Sequence, residues 1–282
     1  MTYPKYFLLT VIAGSLLLNA CHSDKGNNGN PSVLNAQDTI VTSAKGVSLI
    51  INSIPFPINL LDTLHDINGH FNQDILNPAG NVNLYSESNA QSANLGVYGA
   101  DLAYVISFEQ FQSVGIYIKA SKSLADNIGI PLAFAAQVIE RCEKNQNNKD
   151  SLTAIVIQSY SNIDQVLKQN ERMASEVLVL TGGWIEGVYL TTQSVGNMPE
   201  GADKEKMFRI LLEQKQYDDK LLALLTQVSA ASPYCFNLIT HMQQIKAVYN
   251  DITTPSSFTE EKLKDLAGKI KDIRSIIIKG NS

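Results

Sequence analysis

LGVYGADLAYV (residues 95–105) and LTGGWIEGVYL (residues 180–190) decide the fold of this chain. The first lies in a segment, Ser88 to Ala120, that carries Leu95, Tyr98, Leu102, Val105, Phe108, Gln112 and Ile116 at helical spacing. Both stretches place an acid inside an apolar run that also contains glycine. A glycine inside a helix costs roughly 1 kcal/mol relative to alanine. Gly96 and Gly99 in one stretch, and Gly182, Gly183 and Gly187 in the other, repeat that cost. The usual compensation is close approach of another helix or of a ligand. The two stretches are therefore expected to be helices that cross near the centre of a domain. Trp184, the only tryptophan, is expected at or near the crossing.

Laid over each other, the stretches match Asp101 with Glu186 and Tyr104 with Tyr189. Both contain acid-x-x-Tyr, and residues three apart share a helix face, so each acid is expected beside its tyrosine. The flanks align poorly, and no internal repeat is read from the match. A carboxylate at such a crossing is costly to bury unless it is paired or hydrogen-bonded. In the plainer reading each acid bonds a tyrosine hydroxyl or a backbone amide and specifies the packing. In the functional reading Asp101, Tyr104, Trp184, Glu186 and Tyr189 line a pocket for a cationic or hydroxyl-rich ligand. Paired carboxylates also perform acid–base work in glycosidases, but no sugar-binding groove is visible here, and no catalytic residue is assigned.

The same helical signals extend outward from these stretches. Pro57 opens a short helix to about Ile67. The segment beginning at Ser88 is followed by a second helix ending at Ile128, with Gly129 as the stop. Pro131 opens another at a position where proline costs nothing, and Asp150 reads as the N-cap of a helix to about Gln169. Residues 171–195 and 203–229 read as two long helices. Ser232-Pro233 starts one that runs to about Tyr249. Ser257 with Glu260 resembles a capping box before a last helix with Leu263, Leu266, Ile270, Ile273 and Ile277 on one face. Asp38 to Ile54, with its β-branched runs closed by Pro55 and Pro57, reads as an extended arm. No β-hairpin signal occurs in the body. The expectation is an all-α domain over residues 46–282, a single array or bundle of about eight helices joined by short loops.

The amino-terminal region reads differently. Lys5 precedes the uncharged run Phe7 to Leu18, as in a secretory signal peptide over residues 1–20. The run is about a dozen residues, short of the roughly 20 that span a bilayer. Leu18-Asn19-Ala20-Cys21 resembles a bacterial lipobox, with Leu at −3, Ala at −1 and Cys at +1. That resemblance implies a Cys21 thioether-linked to diacylglycerol, freed by cleavage before its amino group and then N-acylated. Several acyl chains hold a protein on a bilayer where one does so only marginally. The other reading is an ordinary secretory signal with a chance cysteine at the cleavage point. In residues 21–45 the cysteine is followed by HSDKGNNGN, a stretch too polar to order itself, which suits a flexible tether. His22 stands where an Asp would resemble an inner-membrane retention signal. The address expected is therefore the cell envelope at the outer membrane, with the facing side left open.

The chain has a formal net charge of −5, and loss of Lys5 with the signal peptide makes the mature form one unit more acidic. This balance, with no basic stripe, argues against nucleic-acid binding. Two cysteines remain after Cys21. Cys142 and Cys235 read as small buried residues, as a disulfide, or as a thiol activated in the first turn of the helix after Pro233. DTLHDINGH (62–70) crowds Asp62, His65, Asp66 and His70, which read as a solvated helix end with a polar loop rather than a metal site. HExxH, Walker, GxGxxG and GxSxG signatures are absent, and no cofactor is implied.

NLGVYGADLAYV (94–105), KSLADNIGI (122–130) and VLTGGWIEGVYL (179–190) together resemble a family of uncharacterised lipoproteins of the Bacteroidota, over about residues 53–250. The resemblance implies an all-α lipoprotein and supplies no reaction. The function expected is that of a lipid-anchored, non-enzymatic binding or scaffolding component of the cell envelope. Its partners would be the membrane, through the diacylglycerol, and an envelope protein. The alternative is a small-ligand receptor or envelope enzyme using the carboxylate, tyrosine and tryptophan residues at the crossing.

Overall fold

The computed structural model describes residues 44–280 apart from Asn68 and Ser232. The segment expected to be a signal peptide, Cys21 and most of the expected tether lie outside the described residues. Among those described there are eleven α-helices and no strand. They are α1 (Ala44–Ile51), α2 (Ile58–Asp66), α3 (Ser88–Ser107), α4 (Phe111–Asn127), α5 (Leu132–Lys144), α6 (Lys149–Gln169), α7 (Met173–Val195), α8 (Ala202–Glu213), α9 (Lys215–Val228), α10 (Pro233–Asn250) and α11 (Glu260–Lys279). Single 3-10 turns occupy Gln73–Ile75, Ala79–Leu84, Ser229–Ala231 and Pro255–Ser257.

The architecture follows from two helices that have no polar face. Every residue of α3 from Ala90 to Ser107 is buried, as is nearly all of α7 from Ser175 to Thr192. A helix that is apolar all round belongs inside, and these two pack on each other at the centre. The other helices sheathe them. On one flank α4 and α6 lie against α3, with α5 between α4 and α6. On the other flank α9 and α11 lie against α7, with α10 packed on both. Helix α2 touches both central helices. The outer helices are amphipathic. In α11 the predicted stripe of Leu263, Leu266, Ile270, Ile273 and Ile277 is fully buried, and each such side chain contributes about 1.5–3 kcal/mol on leaving water.

Several element boundaries differ from the expectations, for local reasons. The helix beginning at Ser88 breaks at Phe108–Gln110, not near Ala120. Glu109 sits at φ 56 there, and the Gln110 amide bonds the Val105 carbonyl at 2.7 Å, closing the helix end. The break lacks the glycine that usually marks such a turn. Gly129 does end α4, at φ 76. Segment 203–229 is two helices meeting at Gln214. Asn148, not Asp150, caps α6, its side chain accepting from the Ser151 amide at 2.9 Å. Thr259 caps α11, while Ser257 closes the preceding turn by accepting from the Thr253 and Thr254 amides. Residues 44–51 are helical rather than extended, because Val47 and Ile51 fall on one face, four apart, and bury against the body.

Candidate functional site

The crossing exists where the glycines are. A methyl group on Gly96 would sit 2.6 Å from the Gly183 amide nitrogen and nearer still to the Val179 carbonyl oxygen. One on Gly182 would be driven into the Ala93 carbonyl. The remaining two glycines of the quoted stretches serve other neighbours. Gly99 leaves room for the Tyr160 ring from α6, whose hydroxyl donates to the Leu95 carbonyl at 2.8 Å, and Gly187 leaves room for Pro57.

At the crossing the structure brings Asp101 and Glu186 together, both with no exposed surface. Glu186 does not pair with Tyr189, and Asp101 does not pair with Tyr104. The partner of Glu186 is Arg274, 88 residues away on α11. Its Nε donates to Glu186 Oε2 at 2.6 Å and its Nη2 to Oε1 at 2.8 Å. Nη2 also donates to the Ile75 carbonyl at 2.9 Å, and the guanidinium lies 4.0 Å above the Tyr189 ring. Burial works against charge on Arg274, but the Glu186 carboxylate outweighs it and holds the guanidinium protonated. This bidentate geometry is the strong form of an ion pair.

Asp101 is left with the other role. As a carboxylate it has no well-formed hydrogen bond at either oxygen, the Asn77 amide being its nearest backbone donor. Burial, then the charge of Glu186, push its pKa well above the carboxylate range; Arg274 and the Asn77 amide oppose this only in part. A neutral Asp101 instead offers its own O–H to Glu186. The crossing thus pairs Glu186 with the Arg274 guanidinium and keeps beside them a second acid whose ionisation burial opposes. Around it, Asn94 donates to the Ala90 and Ile277 carbonyls at 2.9 and 2.8 Å, and Tyr85 joins Asn77 to the Ile278 carbonyl. The network ties α3, α7, α11 and the 73–85 segment to one another.

Tyr104 turns to the 70–72 loop. Its hydroxyl accepts from the Asn72 amide and donates to the His70 carbonyl, while its ring packs among Phe71 and Phe108. Trp184 turns to the junction of α8 and α9, its Nε1 donating to Gln214 Oε1 at 3.1 Å. Residue 184 is two positions from 186, so it faces away from Glu186 on the helix. Of the five residues grouped by sequence, three therefore meet at the crossing: Asp101 and Glu186, with Tyr189 touching them through Arg274. The residue that sequence reasoning missed is Arg274. Its signal was its place in α11, four after Ile270 and three before Ile277, on the border of the apolar stripe.

The other candidates are spread out. Asp62 pairs with Lys149 at 3.2 Å, and His65 meets Phe108 edge-on. Cys142 and Cys235 are both buried and no disulfide joins them, so the disulfide reading does not hold. Burial pushes the Cys142 thiol up to about 11, away from reactivity. Among the described residues no helix is long and apolar enough to cross a membrane. Compared with protein-family models, with curated proteins and with solved structures, the chain finds no match.

Proposed function

We propose that this protein is a lipid-anchored component of the cell envelope that binds or scaffolds and does not catalyse. The observation that carries the reading is the closure of the crossing. The pair of acids that the sequence singles out, Asp101 and Glu186, has no exposed surface, and one of the two is spent on Arg274. A general acid–base pair needs reach to a substrate proton; this pair instead reaches three segments of its own chain. The anchor rests on the lipobox-like Leu18-Asn19-Ala20-Cys21, and the resemblance to Bacteroidota lipoproteins points to the same address. In this reading Cys21 carries the lipid at the outer membrane, the polar residues after it form a spacer, and the helical domain presents its outer faces to an envelope partner.

The test is metabolic labelling with an alkyne-tagged fatty acid, with Cys21→Ala beside the native chain. The native chain should take up label, and Cys21→Ala should take up none and stay uncleaved, about 20 residues longer. Label retained by Cys21→Ala would overturn the anchor. Crosslinking in intact envelopes then asks whether a defined partner is captured by the native chain and lost when the anchor is removed.

A further inference from the structure

A second set of buried carboxyls lies away from the crossing. A cleft of about 330 Å³ opens between α1, α6 and α7. Ile54, Phe56, Ile157 and Leu180 are among its apolar walls, and the Phe56 and Tyr160 rings lie 4.0 Å apart, centroid to centroid. Asp164 of α6 and Glu176 of α7 also line it. Glu176 is only 4% exposed, and apart from a proton shared between the two carboxyls no donor comes within hydrogen-bond geometry of its Oε1 or of Asp164 Oδ1. Lys168 is the resident cation. Its Nζ lies 2.7 Å from Asp164 Oδ2, 3.0 Å from Asn52 Oδ1 and 3.5 Å from Glu176 Oε1, the last too long for a hydrogen bond. With two carboxyls to one ammonium, the ionised site is one positive charge short.

We infer that this cleft is a binding site for a small amphiphilic amine, its ammonium taken by Asp164 and Glu176 and its apolar body by Phe56, Ile157 and Leu180. An ammonium brings three donors and no acceptor, which matches two buried oxygens that no N–H donor of the chain reaches and that have only a shared proton between them. An anion would meet two carboxylates, and a neutral apolar molecule would leave both oxygens unsatisfied. A pocket of this size, mostly apolar with a few convergent polar groups, is the ordinary form of a small-molecule site. Protonation of the pair supports the assignment. Burial, followed by the hydrogen bond and charge of Asp164, raises Glu176 to about 8 against the opposing Lys168. The empty site covers its missing charge with a proton, and the amine displaces it. Asp164 and Lys168 from α6 are the charged groups facing Glu176; the segment following α1 presents the neutral Asn52. This site stands apart from the crossing and does not depend on the envelope reading.

The experiment is calorimetric titration of the full-length chain with 2-phenylethylammonium chloride, with 2-phenylethanol as the uncharged control. The amine stays protonated to pH 9, since alkylammonium groups titrate near 10.4. Binding should strengthen from pH 6 to pH 9 and release a proton, as shown by buffers of different ionisation enthalpy. Glu176→Gln should weaken it about tenfold, the worth of one charge-assisted hydrogen bond, and flatten the pH dependence. Ile157→Lys, at a position 45% exposed, should weaken it by charge repulsion without disturbing the buried pair, and decides the matter if Glu176→Gln fails to fold. Equal binding of the alcohol, no saturable binding at millimolar amine, or unchanged affinity in Ile157→Lys would each overturn the assignment.

Discussion

A glycine-to-alanine series tests the crossing with one substitution whose sign changes from site to site. In an exposed helix position the change stabilises by about 0.5–1 kcal/mol, because alanine loses less backbone freedom on folding. Gly115 in α4 and Gly268 in α11 are such positions, with open space where the methyl would go. At Gly96 the same gain is opposed by the backbone of α7, which cannot rotate away as a side chain can. Overpacking of this kind costs typically 1–3 kcal/mol, and contact with backbone puts Gly96→Ala toward the upper end. The net expectation is a loss of about 2 kcal/mol, and Gly182→Ala should behave alike against Ala93. Gly183→Ala should be near neutral, since its nearest neighbour, the Gly96 carbonyl oxygen, lies at 3.4 Å. For a domain of this size 1 kcal/mol moves the midpoint by roughly 2–4 °C. Scanning calorimetry should therefore find Gly96→Ala lower by about 4–8 °C and Gly115→Ala higher by about 1–4 °C. If Gly96→Ala and Gly182→Ala gain as much as Gly115→Ala, the helices do not approach as described.

The remaining expectations concern charge. Arg274→Met should cost about 3–5 kcal/mol in denaturant unfolding, because it strands a buried carboxylate, and combination with Glu186→Gln should be strongly non-additive; simple addition would refute the pairing. Asp101→Asn should cost under about 1 kcal/mol, since a neutral donor already stands there, whereas Asp101→Leu leaves Glu186 without it and should cost about 1–3 kcal/mol. Stability should fall as pH rises from about 4 to about 8. Burial, and then the charge of Asp219, raise Asp218 to about 8 from its ordinary 3.8, with Lys246 opposing. The folded state therefore keeps a proton that the unfolded chain gives up. Glu176 adds to the same slope from 4.5 upward. Urea midpoints measured across this range should flatten in Asp218→Asn, and an unchanged slope would remove Asp218 from the account.

What the sequence determined by itself was whatever depends on neighbours along the chain. The 3.6-residue stripe of α11, the proline starts at 57, 131 and 233, and the stop at Gly129 are short-range signals, and each marked a real element. Glycines inside apolar runs also carried long-range information, because their cost inside a helix has to be offset by something packed close. Tertiary structure decided the rest. Helix α3 ends at Glu109, where no glycine or proline marks the break and packing holds a non-glycine residue at positive φ. Asp101 and Glu186 look equivalent in sequence but differ in partner, because only one of them has Arg274. That choice is made by the docking of α11 on α7, and no spacing rule reaches across the 88 residues between Glu186 and Arg274. The tyrosines and Trp184 separate for a related reason. Helical spacing sets the direction in which a side chain leaves the axis, but the neighbouring loop or helix decides what its polar end will meet.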